Sequence, residues 1–172
     1  MSRAFVKEND LEHAGIDVPE RPVSAHPNYV TSNGLKQLEA EADKLEQART
    51  ALKKNQESNA EQDPMTRQKI AMIDRDLRYI AARLASAILI DAAVQHPDAT
   101  TVLFGATVTV EDDDGEQYLF TIVGEDEADM TCNKVSYLSP IAKALIGRKL
   151  GDNVEWQRPI GNTQLTIIEI KY

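Results

Sequence analysis

Two apolar series in the middle of the chain are mirror images of one another. Leu35, Leu38, Ala42, Leu45, Arg49 and Leu52 step alternately by three and four residues. Ile70, Ile73, Leu77, Ile80, Leu84 and Ala87 repeat the same steps. That spacing keeps a single stripe of a helix apolar, the a/d seam of a coiled coil. Leu52 and Ile70, Leu45 and Leu77, and Leu38 and Leu84 each lie equidistant from residue 61. Antiparallel pairing with its turn near Glu61 brings all three pairs level at once. Residues 31–92 are therefore expected to form an antiparallel two-helix coiled-coil finger. Arms of about 25 residues give it a reach of about 35–40 Å.

Local signals support the arms. Thr31 is a candidate N-cap, with Val30 before it and Leu35 four residues on as a hydrophobic staple. Asp63-Pro64 restarts the chain as a helix, with Asp at the cap and Pro at the first helical position. Arg49 interrupts the seam opposite Ile73, where its stem can lie along the apolar stripe while the guanidinium reaches water.

The rest of the 172 residues divides on either side of the finger. Residues 1–30 carry Pro19, Pro22 and Pro27 without a period, and are expected to be an N-terminal extension. Residues 97–172 have the pattern of a small α+β domain. Ala106–Val110 alternates, Asp114-Gly115 supplies a hairpin turn, and Tyr118–Val123 is a second strand. Ser139-Pro140 opens a short helix over Ile141, Leu145 and Ile146 that Gly147 ends. Val154–Gln157 and Leu165–Tyr172 are two more strands, joined through Gly161-Asn162. Phe104, Tyr118, Phe120, Tyr137, Trp156 and Tyr172 concentrate here, as a core requires.

Several function classes drop out. One cysteine, Cys132, cannot form an internal disulfide or a thiolate zinc cluster. His13, His26 and His96 have no second ligand at metal spacing, and no phosphate-binding glycine loop, catalytic triad or HExxH helix is present. No apolar run approaches the roughly 18–20 residues of a bilayer span. The first residues carry no signal-peptide block, and a cytoplasmic protein with no membrane partner is expected. The net charge of −9 is uneven: residues 97–172 hold six basic and thirteen acidic side chains, whereas residues 49–83 hold eight basic and five acidic. Nucleic acid is repelled by the first of these stretches and attracted only by the second.

Three stretches of the C-terminal part carry a family resemblance. They are Phe104-Gly105-Ala106-Thr107-Val108, Ile122-Val123-Gly124-Glu125-Asp126-Glu127, and Ser139-Pro140-Ile141-Ala142-Lys143-Ala144-Leu145-Ile146-Gly147. In order and spacing they resemble the GreA/GreB-type bacterial transcription elongation (transcript cleavage) factors. The closing Ile168–Tyr172 fits as well, and Ile73-Asp74-Arg75, Arg78-Tyr79 and Ile90-Asp91 on the finger look more like the GreB branch. The resemblance covers about residues 31–172 and leaves out the first 30. It implies an FKBP-like C-terminal domain that docks on the rim of the RNA polymerase secondary channel, and a finger that enters the channel. In the family, two acids at the fingertip help hold a catalytic Mg²⁺ of the polymerase, which itself cleaves the RNA. The factor is then no enzyme and has no cofactor of its own. Hard cations take carboxylate oxygens, which is why a pair of acids serves.

The fingertip departs from that pattern. Aligned on Ser58-Asn59-Ala60-Glu61, the two acid positions fall on Asn55 and Ser58; aligned from the return helix, they fall on Gln56 and Asn59. All four are neutral. Glu57, Glu61 and Asp63 are the tip carboxylates that remain, and cleavage stimulation is expected to be weak or absent. Lys53, Lys54, Arg75 and Arg78 are the candidates for contact with the 3′ end of the RNA, and Arg67 and Lys69 lie on the same half of the finger. Asp126, Glu127, Ser139, Pro140 and Ile141 are the candidates for the polymerase rim. The competing readings are an FKBP-like chaperone or interaction module with a coiled-coil arm, and an oligomerisation module using Met65 and Met72. A polar tip disfavours the first, and the second needs another apolar stripe outside the seam. A monomer is expected.

Overall fold

A computed structural model of the chain describes residues 18–58, 63–95 and 100–172. In chain order the elements are β1 (Asn28–Val30), α1 (Ser32–Ser58), α2 (Pro64–Ala85), β2 (Ala87–Leu89), α3 (Ala92–Gln95), β3 (Thr107–Asp112), β4 (Gln117–Val123), β5 (Lys134–Ser136), α4 (Pro140–Leu145), β6 (Asn153–Trp156) and β7 (Thr163–Lys171). They fall into two compact units, an N-terminal helical hairpin and a C-terminal sheet domain. Among the described residues, the helical unit joins residues 18–23 with Glu39–Ala85, and the second unit joins Ser24–Leu38 with Ser86–Tyr172.

In the helical unit the seam predicted from spacing is visible as burial. Along α1 from Glu39 to Asn55, Ala42, Leu45, Arg49 and Leu52 are half-buried and every residue between them is exposed. On α2, Ile80 is buried and Ile70, Ile73, Leu77 and Leu84 are half-buried. Arg49 bridges the arms: its Nη1 donates to Asp74 Oδ1 at 3.1 Å. The seam interruption is therefore an inter-arm ion pair, one residue off the position expected opposite it.

The second unit is built on a five-stranded sheet in the order β5-β4-β3-β7-β6, in which only the β4–β5 pair is parallel. The β3–β4 hairpin turns through Gly115 at φ 82°, a conformation that glycine adopts without strain. Val108, Val110, Phe120, Ile122, Leu165 and Ile167 project to one face, and α4 covers it with Ile141, Ala142 and Leu145. The opposite face carries exposed Leu119 and Ile168 and half-buried Thr109, and β3 alternates between buried Val108 and Val110 and half-buried threonines. Trp156 meets Phe120 and Tyr118 edge-on, with ring centroids 5.3 and 5.6 Å apart.

Two boundaries differ from the sequence reading. Residues 28–30 are not an extension but strand β1, which pairs in parallel with β2; Asn28 and Val30 are both buried. The finger does not run to residue 92: α2 stops at Ala85, and Ala87, expected in the seam, is the first residue of β2. The physical reason is a pairing across nearly sixty residues, in which Ile90 N–H also donates to the Val30 carbonyl at 2.9 Å. Strands of three residues leave no periodicity for a sequence to display.

Candidate functional site

The finger arms end on α1 at Ser58 and begin again on α2 at Pro64. Asp63 is exposed and caps α2. Its carboxylate accepts from the Met65 and Thr66 backbone N–H groups at 3.1 and 3.2 Å, and from the Thr66 hydroxyl at 2.9 Å. The Thr66 hydroxyl first, and then the Met65 N–H, hold this carboxyl below its ordinary range. Asp63 is thus a helix cap. Asn55 is exposed near the end of α1. The side chains of Gln56, Glu57 and Ser58 lie outside the described residues, as do Asn59 and Glu61 altogether.

The basic candidates differ in what they touch. Lys53, Arg67 and Lys69 are exposed, as is Lys54. Arg75 is half-buried and forks onto its neighbour: Nε and Nη2 donate to Asp76 Oδ1 at 3.0 and 2.8 Å. Arg78 donates from Nε to Glu20 Oε1 at 3.0 Å and from Nη2 to the same oxygen. The hydrogen bond to Glu20 is the largest influence on Arg78 and raises its pKa. Arg75 and Arg78, both proposed for RNA, are therefore already matched by carboxylates of this chain.

The rim candidates separate into surface and interior. Asp126 and Pro140 are exposed. Ser139 is the N-cap of α4, its Oγ accepting from Ala142 N–H at 3.3 Å, with Pro140 at the start of the helix. Ile141 is not on the surface: it is 5% exposed and belongs to the core beneath α4. Helix geometry forces this, because Ile141, Ala142 and Leu145 share the face that meets the sheet.

Glu127 is the larger correction. Offered as a candidate for the rim surface, it is instead a buried acid, with a side chain only 4% exposed. Thr31 Oγ1 donates to its Oε2, and Asn33 Nδ2 and Lys134 Nζ each donate to Oε1 at 3.0 Å. Burial opposes its ionisation, yet the bonds from Asn33, Thr31 and Lys134 outweigh burial and hold its pKa below the ordinary value. The Thr31 hydroxyl also accepts from Gly34 N–H at 2.9 Å, so the N-cap of α1 and the loop after β4 are tied through one oxygen. Gly34 is needed there, since a Cβ would stand 2.6 Å from Glu127 Oε2. Beside this clamp, Tyr29, Phe104 and Tyr137 form a ring cluster with centroids 5.4–5.9 Å apart, and the Tyr137 hydroxyl donates to the Pro27 carbonyl at 2.6 Å. Gly124 lies under the same segment, where a Cβ would come 2.4 Å from the Tyr29 carbonyl oxygen.

Sequence reasoning missed the strap formed by residues 18–23 in the helical unit. Glu20 meets Arg78, and Arg21 meets Asp76 and the Tyr79 ring. The only local trace is a Glu-Arg pair between two prolines, which by itself names no partner. Among the described residues, no cluster of three metal-ligating side chains occurs, and no helix is long and apolar enough to cross a membrane.

Comparison with known proteins adds the following. The family model described as "Transcription elongation factor, GreA/GreB, C-term" matches residues 96–172. "Transcription elongation factor GreA" of Trichlorobacter lovleyi is 43% identical over 115 residues, covering 66% of this chain and 71% of the relative. The protein of the same name from Rickettsia canadensis is 37% identical over 155 residues, covering 83% of this chain and 93% of the relative. Among solved structures, the "Prokaryotic transcription elongation factor GreA/GreB from Nitrosomonas europaea" aligns with a TM-score of 0.41 at 24% identity, covering 84% of this chain and 99% of that one. Both relatives carry the GreA name, and nothing in these matches favours the GreB-like branch.

Proposed function

Because this chain belongs to the GreA/GreB family of transcription elongation factors, we propose that it binds bacterial RNA polymerase in the cytoplasm through the secondary channel and modulates backtracked elongation complexes with little or no stimulation of RNA cleavage. The observation that carries the second half is the tip sequence. Neutral Asn55 and Ser58, or Gln56 and Asn59, stand where the family places its two acids. Amide and hydroxyl oxygens are neutral and cannot supply the charge that a second Mg²⁺ needs beside the first. Asp63 is engaged as the cap of α2, and Glu57 and Glu61 are the other two carboxylates of the tip sequence. Any Mg²⁺ involved belongs to the polymerase active site, and this chain acts as a monomeric factor rather than as an enzyme. Docking falls to the sheet domain, where Asp126 and Pro140 are the exposed members of the rim set. Lys53, Lys54, Arg75 and Arg78 face the RNA 3′ segment.

The test is RNA shortening in a purified backtracked complex at fixed Mg²⁺. Wild type should bind core polymerase in a pull-down, give weak or no shortening, and displace an active cleavage factor from the channel. Asn55→Asp with Ser58→Glu should raise cleavage if the motif alignment is right, and Gln56→Asp with Asn59→Glu if the helix alignment is right. Strong wild-type cleavage that persists in Glu57→Ala with Glu61→Ala would overturn the proposal. Failure to retain polymerase would favour the chaperone or interaction-module reading.

A further inference from the structure

From sequence alone, residues 18–23 belong to an extension without a role. In the helical unit they lie along α2. Pro19 and Pro22 bracket the segment and fix φ at both ends of the Glu20-Arg21 pair. Glu20 takes two hydrogen bonds from the Arg78 guanidinium. Arg21 stacks on the next residue: its guanidinium carbon is 3.8 Å from the centroid of the Tyr79 ring, and its Nη1 is 3.6 Å from Asp76 Oδ1.

A guanidinium beside an aromatic ring is the pair of groups with which a protein holds one nucleotide of a single strand. The cation takes the phosphate, and the ring stacks with the base. Glu20-Arg21 supplies a counterpart to each. Its carboxylate stands on Arg78 where a phosphate would stand, and its planar delocalised cation lies on Tyr79 where a base would lie. We propose that Glu20-Arg21 is an internal mimic of a nucleotide, a strap that occupies the Arg78–Tyr79 face of α2 and must leave before single-stranded RNA binds there. The inference rests on the reading of the finger as RNA-facing.

The contacts suit release. Glu20 and Arg78 are 62% and 57% exposed in this pair, and Arg21 is 44% exposed, so each contact is screened by solvent and individually weak. The prolines narrow the conformations of the detached segment, so weak contacts are enough to seat it. While the strap is seated, the apparent affinity of the face falls in proportion to the fraction of molecules in which it is open.

The experiment is fluorescence anisotropy of a short labelled oligouridylate with the full chain at low salt. Glu20→Gln with Arg21→Ala removes the charge from the Arg78 contact and the cation from the Tyr79 ring, and leaves the net charge unchanged, so a gain cannot come from bulk electrostatics. It should bind about threefold to tenfold tighter than wild type, from the loss of one exposed ion pair and one cation–π contact. Glu20→Gln alone, a conservative change at an exposed site, should give part of that gain. The gain should vanish when Arg78→Ala is added. On titrating RNA into wild type, the backbone amide resonances of Glu20 and Arg21 should move to those of a detached segment. Unchanged or weaker binding by the double variant, with loss on Arg78→Ala, would overturn the strap and leave the RNA-facing reading in place. Absence of binding by every variant would overturn both.

Discussion

Glu127 holds its charge with almost no access to water, because Asn33, Thr31 and Lys134 all donate to it. Its pKa is lowered in the fold, so the clamp's stabilisation is fully present above the ordinary glutamate value of 4.5 and is lost as pH falls through the native value. Wild-type resistance to urea, followed by the fluorescence of the single tryptophan, Trp156, should therefore decline as pH is lowered below that value. Glu127→Gln should flatten this decline, because an amide does not titrate. Glu127→Ala at neutral pH should cost about 2–4 kcal/mol, since it leaves Lys134, Asn33 and Thr31 without their buried acceptor. An unchanged acid slope in Glu127→Gln would show that other carboxyls govern it. The sequence sets Glu127 in a stretch that resembles the family and suggests a surface residue, whereas the fold buries it. A glutamate is mostly exposed by default, and only its partners at the N-cap and first turn of α1 and on β5 make its burial tolerable.

At the scale of elements, the helical hairpin is legible because its order is periodic. Ala42, Leu45 and Leu52 reappear as the half-buried positions of α1, and Thr31, Asp63 and Ser139 all serve as the caps that their sequence contexts suggest. Leu45 and Leu77 are only half-buried, so Leu45→Ala or Leu77→Ala should each cost about 1–3 kcal/mol, toward or below the low end of fully buried leucines. The double variant should cost less than the sum if the two face one another. Thermal melts followed at the helical circular-dichroism band provide the measurement, and additive losses would separate the pair. The short strands are the opposite case. β1, β2 and β5 have three residues each and are defined by parallel partners, so no local signal announces them.

For the whole molecule, the core of the sheet domain is drawn from residues between Val102 and Ile170, contributed by all five strands of the sheet and by α4. A fragment of residues 97–172 should fold cooperatively, as seen from Trp156. It should unfold at lower urea than the same domain in the full chain, because it lacks Thr31 and Asn33 of the clamp and Tyr29 of the ring cluster. Equal midpoints would show that those contacts add nothing. Pro140→Asp offers a clean test of docking. The residue is exposed at the first position of α4, where an acid suits the helix N-terminus, so the fold should survive while affinity for polymerase falls. Undiminished binding would remove Pro140 from the rim surface.

The amino-acid sequence by itself determined the two helices and their antiparallel pairing, the caps, the β3–β4 turn, the strands β3, β4, β6 and β7, and the family. Each of these is encoded within a few residues or in a repeating step, so that propensity, capping and periodicity all point the same way. The tertiary structure alone decided where β1 and β2 lie, that Glu127 and Ile141 face inward, and that Glu20 and Arg21 lie on Arg78 and Tyr79. Those outcomes join groups from about 50 to 100 positions apart, such as Glu20 with Arg78 and Thr31 with Glu127. Whether a charged side chain meets water or a partner depends on what the fold brings to it, and no stretch of local sequence carries that information.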